Sequence, residues 1–246
     1  MTQPGQYIAV DQFEVHKKGR LFKSGGKETA SDQFCGGTVY TDFATGFTRV
    51  YFQVSLGAAE TILSKQQFER EAASYGVQVA NYRTDNGIFT KEAFLNEIQT
   101  HGQYLSASGV GAHHQNGIAE RAICTLVTKA RAMLLHAQLR WPDQTTPDLW
   151  PMAMQHACFL VNNIPNPING FAPNELFGKQ LHTKTDLTKL AVWGCPTYVL
   201  EPTLQDGRKL PKWKSRSRRG QYMGWSPIHA SNVALVRNLN TGRISP

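Results

Sequence analysis

Residues 37–55, GTVYTDFATGFTRVYFQVS, are rich in β-branched and aromatic residues and break once, at Gly46. They read as two strands around a turn. Immediately downstream, GAAETILSKQQFEREAASYG (57–76) changes period: Ile62, Leu63, Gln66, Phe68 and Ala72 fit one side of a helix closed by Gly76. Upstream, YIAVDQFEV (7–15) alternates as a strand with Asp11 in its middle. The polar stretch HKKGRLFKSGGKETASDQ (16–33) between them reads as a loop or a long hairpin connection. The chain therefore opens with three antiparallel strands and a helix.

Alternating units follow. VQVANYRTDNG (77–87) is a short strand ending at Thr84 and Asp85 before an Asn-Gly turn, KEAFLNEIQTHG (91–102) a short amphipathic helix, and QYLSASGV (103–110) a brief strand. From Asn116, the residues Ala119, Ala122, Ile123, Leu126, Val127, Ala130, Met133 and Leu134 recur at helical spacing. Glu120 lies in the first turns of that long helix. Hairpins pair strands antiparallel and strand–helix–strand crossings pair them parallel, so the order β-β-β-α-β-α-β-α predicts a mixed α/β fold. The expected architecture is a five-stranded sheet with helices on both faces. Asp11 then sits inside the first strand and Asp85 at the carboxyl end of the fourth, where open α/β sheets place their sites.

With 246 residues, 41% of them hydrophobic, the chain can bury one substantial core and a smaller appendage. No apolar run reaches spanning length, and Asp11, Glu14, His16, Lys17 and Lys18 stand where a signal peptide needs apolar residues. A membrane or secreted protein is not expected. Cys35, Cys124, Cys158 and Cys195 form no CxxC pair, which argues against zinc and for reduced, small core residues. The formal charge is +8, and the segment 208–219 alone holds seven basic residues and no acid. That block is either a solvated loop or a phosphate-contacting segment, with Trp213 as a stacking surface.

Taken alone, Glu120 is an ordinary first-turn acid facing the positive end of a helix dipole. Its setting is the Gly-flanked GVGAHHQNG (109–117), whose His113 and His114 lack further ligands at metal-binding spacing. Asn116 reads either as a helix cap or as part of a loop that meets a ligand. Arg131 lies eleven residues, about three turns, beyond Glu120 and shares its face, with Lys129 nearby.

Four segments, VDQFEV (10–15), YTDFATGFTRVYF (40–52), YRTDNGIFTKEAF (82–94) and HHQNGIAERAI (113–123), resemble the catalytic core of retroelement integrases, those of copia-type retrotransposon polyproteins above all. The resemblance implies a ribonuclease H-like fold and carries the family's three carboxylates to Asp11, Asp85 and Glu120, as catalytic and metal-binding residues. Asp42 is the rival for the first position, but TDFATG matches the family's second strand, whose acid lies outside the metal site. The interval between Asp85 and Glu120 holds 34 residues, one fewer than the retroviral spacing. Two Mg²⁺ or Mn²⁺ ions roughly 3.5–4 Å apart are expected, because hard cations take carboxylate oxygens and assist phosphodiester transfer. The activity implied is DNA strand transfer that integrates retroelement cDNA into target DNA. DNA contacts then fall to His114, Gln115, Asn116, Lys129, Arg131, Lys212, Lys214, Arg216, Arg218 and Arg219. A homo-oligomer in the nucleus is implied as well.

Downstream, PDLWPMAMQHACFLVNN (147–163) reads as an apolar helix with Leu149, Met152, Ala153, His156, Ala157 and Leu160 as its buried stripe, and IPNPINGFAPNELF (164–177) as a Pro-rich turn region. FAPNELFGKQ, LAVWGCPTYVL and RGQYMGWSP resemble the region that follows the core in the same family. The resemblance implies a catalytic domain over 1–180 and a small, basic, SH3-like β-barrel over 186–246, cut short at Pro246. It departs from the family in a long connection around residues 16–35 and in lacking the His/Cys zinc module of complete integrases, so the chain reads as a fragment. A nuclease or transposase of the same fold, and a catalytically inactive DNA-binding relic, are the competing readings.

Overall fold

The computed structural model describes residues 3–22, 33–109, 116–178, 186–226, 229 and 233–246. Strands β1 (Ile8–Gly19), β2 (Phe34–Asp42) and β3 (Thr48–Gln53) form the antiparallel meander. The β2–β3 turn closes on Gly46, whose φ of +73° suits only a residue without a side chain. Helix α1 (Ala58–Ser74), strand β4 (Asn81–Thr84), helix α2 (Glu92–Thr100) and strand β5 (Tyr104–Ala107) follow. Because β4 pairs parallel to β1, and β5 parallel to β4, the sheet order is β3-β2-β1-β4-β5. The mixed five-stranded sheet expected from the element order is the one observed.

Strand β1 continues to Gly19 instead of ending at Val15. Its extension is polar and exposed from His16 to Lys18, so burial does not drive it. A register shift between Glu14 and Gly19 and a bond from Trp150 Nε1 to the Lys17 carbonyl (2.9 Å) hold it in place. Such support is invisible to hydrophobic periodicity.

Alternation along β1 divides the core. Ile8 and Val10 join Tyr40, Phe68, Ala72, Tyr82, Phe94 and Ile98 on the side of α1 and α2. Phe13 and Val39 join Leu126 and Ala130 of α3 (Gly117–Arg140) and Met152, Ala153 and Ala157 of α4 (Trp150–Asn163) on the other. Helices therefore cover both faces.

The buried side of α1 differs from the expected stripe. Thr61, Ser64, Lys65, Phe68 and Ala72 face inward, while Leu63 is 56% exposed. The sheet and α2 supply polar partners that make this arrangement tolerable. Gln12 donates to Thr61 Oγ1 (2.7 Å), Tyr40 Oη meets Ser64 Oγ (2.8 Å), and Lys65 Nζ lies 3.0 Å from Glu69 and 3.7 Å from Glu97. On α3, Ala119, Leu126 and Ala130 are buried as expected. Leu149, just before α4, and Met152, Ala153, His156 and Ala157 on it are buried, and Leu160 is half-buried.

Trp150, Met154 and Cys158 are buried on α4 as well, Trp150 against Phe13 and Phe52 of the sheet and Cys158 with its thiol bonded to the Thr48 carbonyl of β3. After the short helix α5 (Pro173–Phe177) come β6 (Pro196–Leu200), helix α6 (Pro202–Gln205), β7 (Ser217–Trp225), β8 (Ala234–Asn238) and β9 (Ile244–Ser245). These strands form a four-stranded antiparallel sheet in the order β6-β7-β8-β9. Trp193, Met223 and Ile244 belong to the same apolar cluster as Trp150, Met152 and Ala153. Gln221 Nε2 donates to Thr145 Oγ1 (2.9 Å), and Arg237 to the Gln144 carbonyl (2.7 Å). All four cysteines are free; Cys35 and Cys158 are buried, whereas Cys124 is exposed on α3 and is no core residue. Among the described residues no helix is long and apolar enough to cross a membrane.

Two stability outcomes follow from this packing. Phe68→Ala, which removes a fully buried ring stacked on Tyr40, is expected to cost about 3–5 kcal/mol in chemical denaturation. His156 is 4% exposed, and burial lowers its pKa from 6.5 to about 4. The unfolded chain therefore binds a proton more readily than the folded one, so stability falls as pH drops from about 6.5 to about 4. His156→Gln should flatten that part of the stability–pH curve.

Candidate functional site

The parallel register pairs Ile8 with Tyr82 and Ala9 with Arg83. Asp11 stands two residues beyond Ala9 and Asp85 two beyond Arg83, so continuing the register sets the two aspartates level with each other. Side chains two apart share a face, and Ala9, Asp11 and Phe13 face the α3 and α4 side. Both aspartates are half-buried. Asp11 Oδ1 accepts the Gln12 N–H (2.8 Å), and Asp85 Oδ1 accepts the Gly87 N–H (3.1 Å) across the Asn-Gly turn. Asn86 Nδ2 donates to the Ser108 carbonyl (2.7 Å), tying that turn to the end of β5. Asp11 thus lies within β1, and Asp85 just past the end of its parallel neighbour β4.

Glu120 arrives on a different element. It is exposed in the first turn of α3. Asn116 occupies the N-cap position but makes no side-chain capping bond. It is 1% exposed, and its Nδ2 donates to the Val10 carbonyl (3.1 Å), next to Asp11 in β1. Among the described residues, no group of three or more His, Cys, Asp or Glu stands together to hold a metal ion. The register aligns the aspartate pair; Glu120 is not gathered with it into a cluster of three. His114 and Gln115 lie outside the described residues.

Asp42 has other work. It pairs with Ile8, three residues back along β1 from Asp11, and is 1% exposed. Its carboxylate accepts the Gly5 N–H (2.8 Å), the Thr45 N–H (2.9 Å) and the Thr45 hydroxyl (2.7 Å), which closes the β2–β3 turn. Burial raises its pKa, and these hydrogen bonds oppose the rise.

Lys129 and Arg131 are exposed on α3; Lys212, Lys214, Arg216 and Arg219 are exposed at or before β7, and Arg218 is half-buried. Lys212 Nζ lies 5.6 Å from the centroid of the Trp213 ring, which is 91% exposed. Sequence reasoning passed over Tyr198, 71% exposed and paired with Arg219 across β6 and β7. An aromatic beside a cation on a solvent-facing strand has the chemistry of a base-stacking surface. The alternation in PTYVL carried the signal.

No family model matches the chain. A retrovirus-related Pol polyprotein from transposon TNT 1-94 of Nicotiana tabacum is 30% identical over 149 residues, 58% of the chain. The corresponding polyprotein from transposon RE1 of Arabidopsis thaliana is 24% identical over 216 residues, 84% of the chain. The chain spans only 10% and 13% of the lengths of these relatives. Among solved structures, the catalytic core domain of BIV integrase matches 73% of the chain and 98% of its own, with a TM-score of 0.50 and 18% identity. An intasome of simian T-cell lymphotropic virus in complex with a PP2A regulatory subunit, B56 gamma, matches 99% of the chain and 80% of its own, with a TM-score of 0.53 and 13% identity. The chain is thus similar to parts of these retrotransposon Pol polyproteins, and its fold is that of a retroviral integrase catalytic core followed by an antiparallel β-sheet.

Proposed function

We propose that this chain is the integrase core of a retrotransposon and joins element cDNA to target DNA by metal-dependent strand transfer. The observation that supports the reading is the parallel pairing of Ala9 in β1 with Arg83 in β4, each two residues before an aspartate, Asp11 and Asp85. Their carboxylates are the hard oxygen donors that Mg²⁺ or Mn²⁺ prefers. Glu120, in the first turn of α3, would be the third ligand. The expected pair of ions, when bound, supplies Lewis-acid stabilisation of the attacking and leaving oxygens.

The chain's own groups do the rest. The Gly87 N–H fixes the orientation of the Asp85 carboxylate, and the Asn86 amide keeps the turn from drifting off β5. Lys129 and Arg131 meet backbone phosphates along α3, and contacts to the cDNA end are assigned to His114 and Gln115; Asn116, 1% exposed and bonded to the Val10 carbonyl, is too buried to share them. Residues 1–180 form the catalytic unit and 186–246 the basic one, whose Lys212, Lys214, Arg216, Arg218 and Arg219 hold DNA by charge. The working form is a homo-oligomer acting in the nucleus.

An inactive DNA-binding relic is the second reading, favoured by the absence of a three-carboxylate cluster among the described residues. Asp85→Asn separates the two. For an enzyme, strand-transfer product falls to background while DNA binding persists; equal product from wild type and variant sinks the enzymatic reading. The product itself, joined strands or nicked ones, distinguishes an integrase from a nuclease. Replacing Lys212, Lys214 and Arg216 together by Gln is expected to weaken DNA binding and to lower the slope of log affinity against log salt by about 0.9 per lost phosphate contact.

A further inference from the structure

We propose that the outer end of the β6–β7 hairpin binds an unpaired DNA strand, with Tyr198 and Trp213 stacking on its bases and the neighbouring cations on its phosphates. This rests on the DNA-binding reading above and names the form of DNA that this surface takes. In the hairpin register Tyr198 pairs with Arg219, Leu200 with Ser217 and Pro196 with Gln221. Cross-strand partners, and residues two apart, share one face of a sheet. That face has two halves. The inner half is closed: Gln221 is fully buried and bonded to Thr145, and Met223 lies in the apolar cluster around α4. The outer half is open, with Tyr198 71% and Leu200 47% exposed and Arg219 exposed beside them. One step past Leu200, the Glu201 N–H donates to the Arg216 carbonyl (3.0 Å), so the connection between the strands hangs from this same end. Within it the Lys214 N–H donates to the Pro211 carbonyl (3.0 Å), and the resulting turn holds Trp213 outward, 91% exposed, with Lys212 alongside its ring.

Two large rings left in water favour association with something that covers them. The surrounding charge selects the partner. Segment 208–219 carries seven basic residues and no acid, whereas the centre of a protein–protein contact is poor in lysine. A polyanion fits instead. In a duplex the bases stack on one another and present their edges to the grooves, so an aromatic ring finds no base face to cover. An unpaired strand offers base faces together with phosphates, and stacking on aromatic side chains tolerates any sequence. Tyr198 and Trp213 therefore add affinity for unpaired DNA alone, while Lys212, Lys214, Arg216 and Arg219 serve single and double strands alike.

Fluorescence anisotropy of the full 246-residue chain tests this with labelled probes of equal length: an oligothymidylate, an abasic deoxyribose-phosphate strand and a duplex. Tyr198→Leu and Trp213→Leu are each expected to weaken oligothymidylate binding about 5–150-fold, leaving the abasic strand, the duplex and the salt slope at wild-type values. Tyr198→Phe keeps the ring and is expected to bind as wild type does. Oligothymidylate held no more tightly than the abasic strand overturns the proposal, as does a loss in the leucine variants that is equal for all three probes. Tighter binding of an oligouridylate would assign the surface to RNA and overturn the choice of DNA. Leucine variants that change the sedimentation of the chain but not its oligothymidylate affinity would make the patch a protein interface, which also overturns it. If the wild type binds none of the probes, the DNA-binding reading itself fails; duplex binding that persists without a preference for oligothymidylate over the abasic strand removes only the stacking role.

Discussion

The parallel pairing of β1 with β4 is the constraint on which the rest of this structure depends. Ile8 and Tyr82, directly paired, are both fully buried under α1 and α2, so the hydrophobic effect fixes which face of each strand turns inward. A slip of one residue would turn Tyr82 outward and carry Asp85 to the wrong side of the sheet. Register therefore decides the site before any side chain of the site makes a contact.

A buried polar network reinforces that register. Tyr82 Oη donates to Glu69 Oε1 (2.6 Å), Gln103 Nε2 donates to the same oxygen (2.6 Å), and Lys65 closes on Glu69 and Glu97 from α1. Burial, with Glu69 alongside, pushes the Tyr82 pKa well above its usual value and keeps the phenol a donor. Buried charges gain little net stability over an apolar replacement, but breaking such a set is expensive. The network thus penalises every alternative placement of β4 more than it rewards the native one. The second sheet works differently: Trp193, Met223 and Ile244 complete the apolar cluster around α4 instead of enclosing a separate core.

Much of this was legible in advance where the pattern had a period. The hairpin around Gly46, the change to helical spacing after Gly57 and the Asp-Asn-Gly turn gave strand, helix and turn with little ambiguity. Helix α1 misled for a physical reason: polar Thr61, Ser64 and Lys65 are buried because Gln12, Tyr40 and Glu97 of other elements, together with Glu69 of α1 itself, satisfy them, and Leu63 is exposed because none covers it. The polar extension of β1 hid for a related reason, since a bond from Trp150, far along the chain, supports it.

For the site, residue types and spacing determined that Asp11 ends up inside a strand, Asp85 at a strand end and Glu120 in a helix's first turn, because local propensity and turn chemistry act over a few residues. Only the tertiary structure decided which of them come together. Level register between β1 and β4 is a property of two strands more than seventy residues apart in sequence, set by the burial of Ile8 and Tyr82. The turning of Asn116 inward, to Val10 instead of to its own helix, is likewise a long-range bond. A sequence specifies such contacts through the energy of the whole fold, and so they become readable only once the chain has closed on itself.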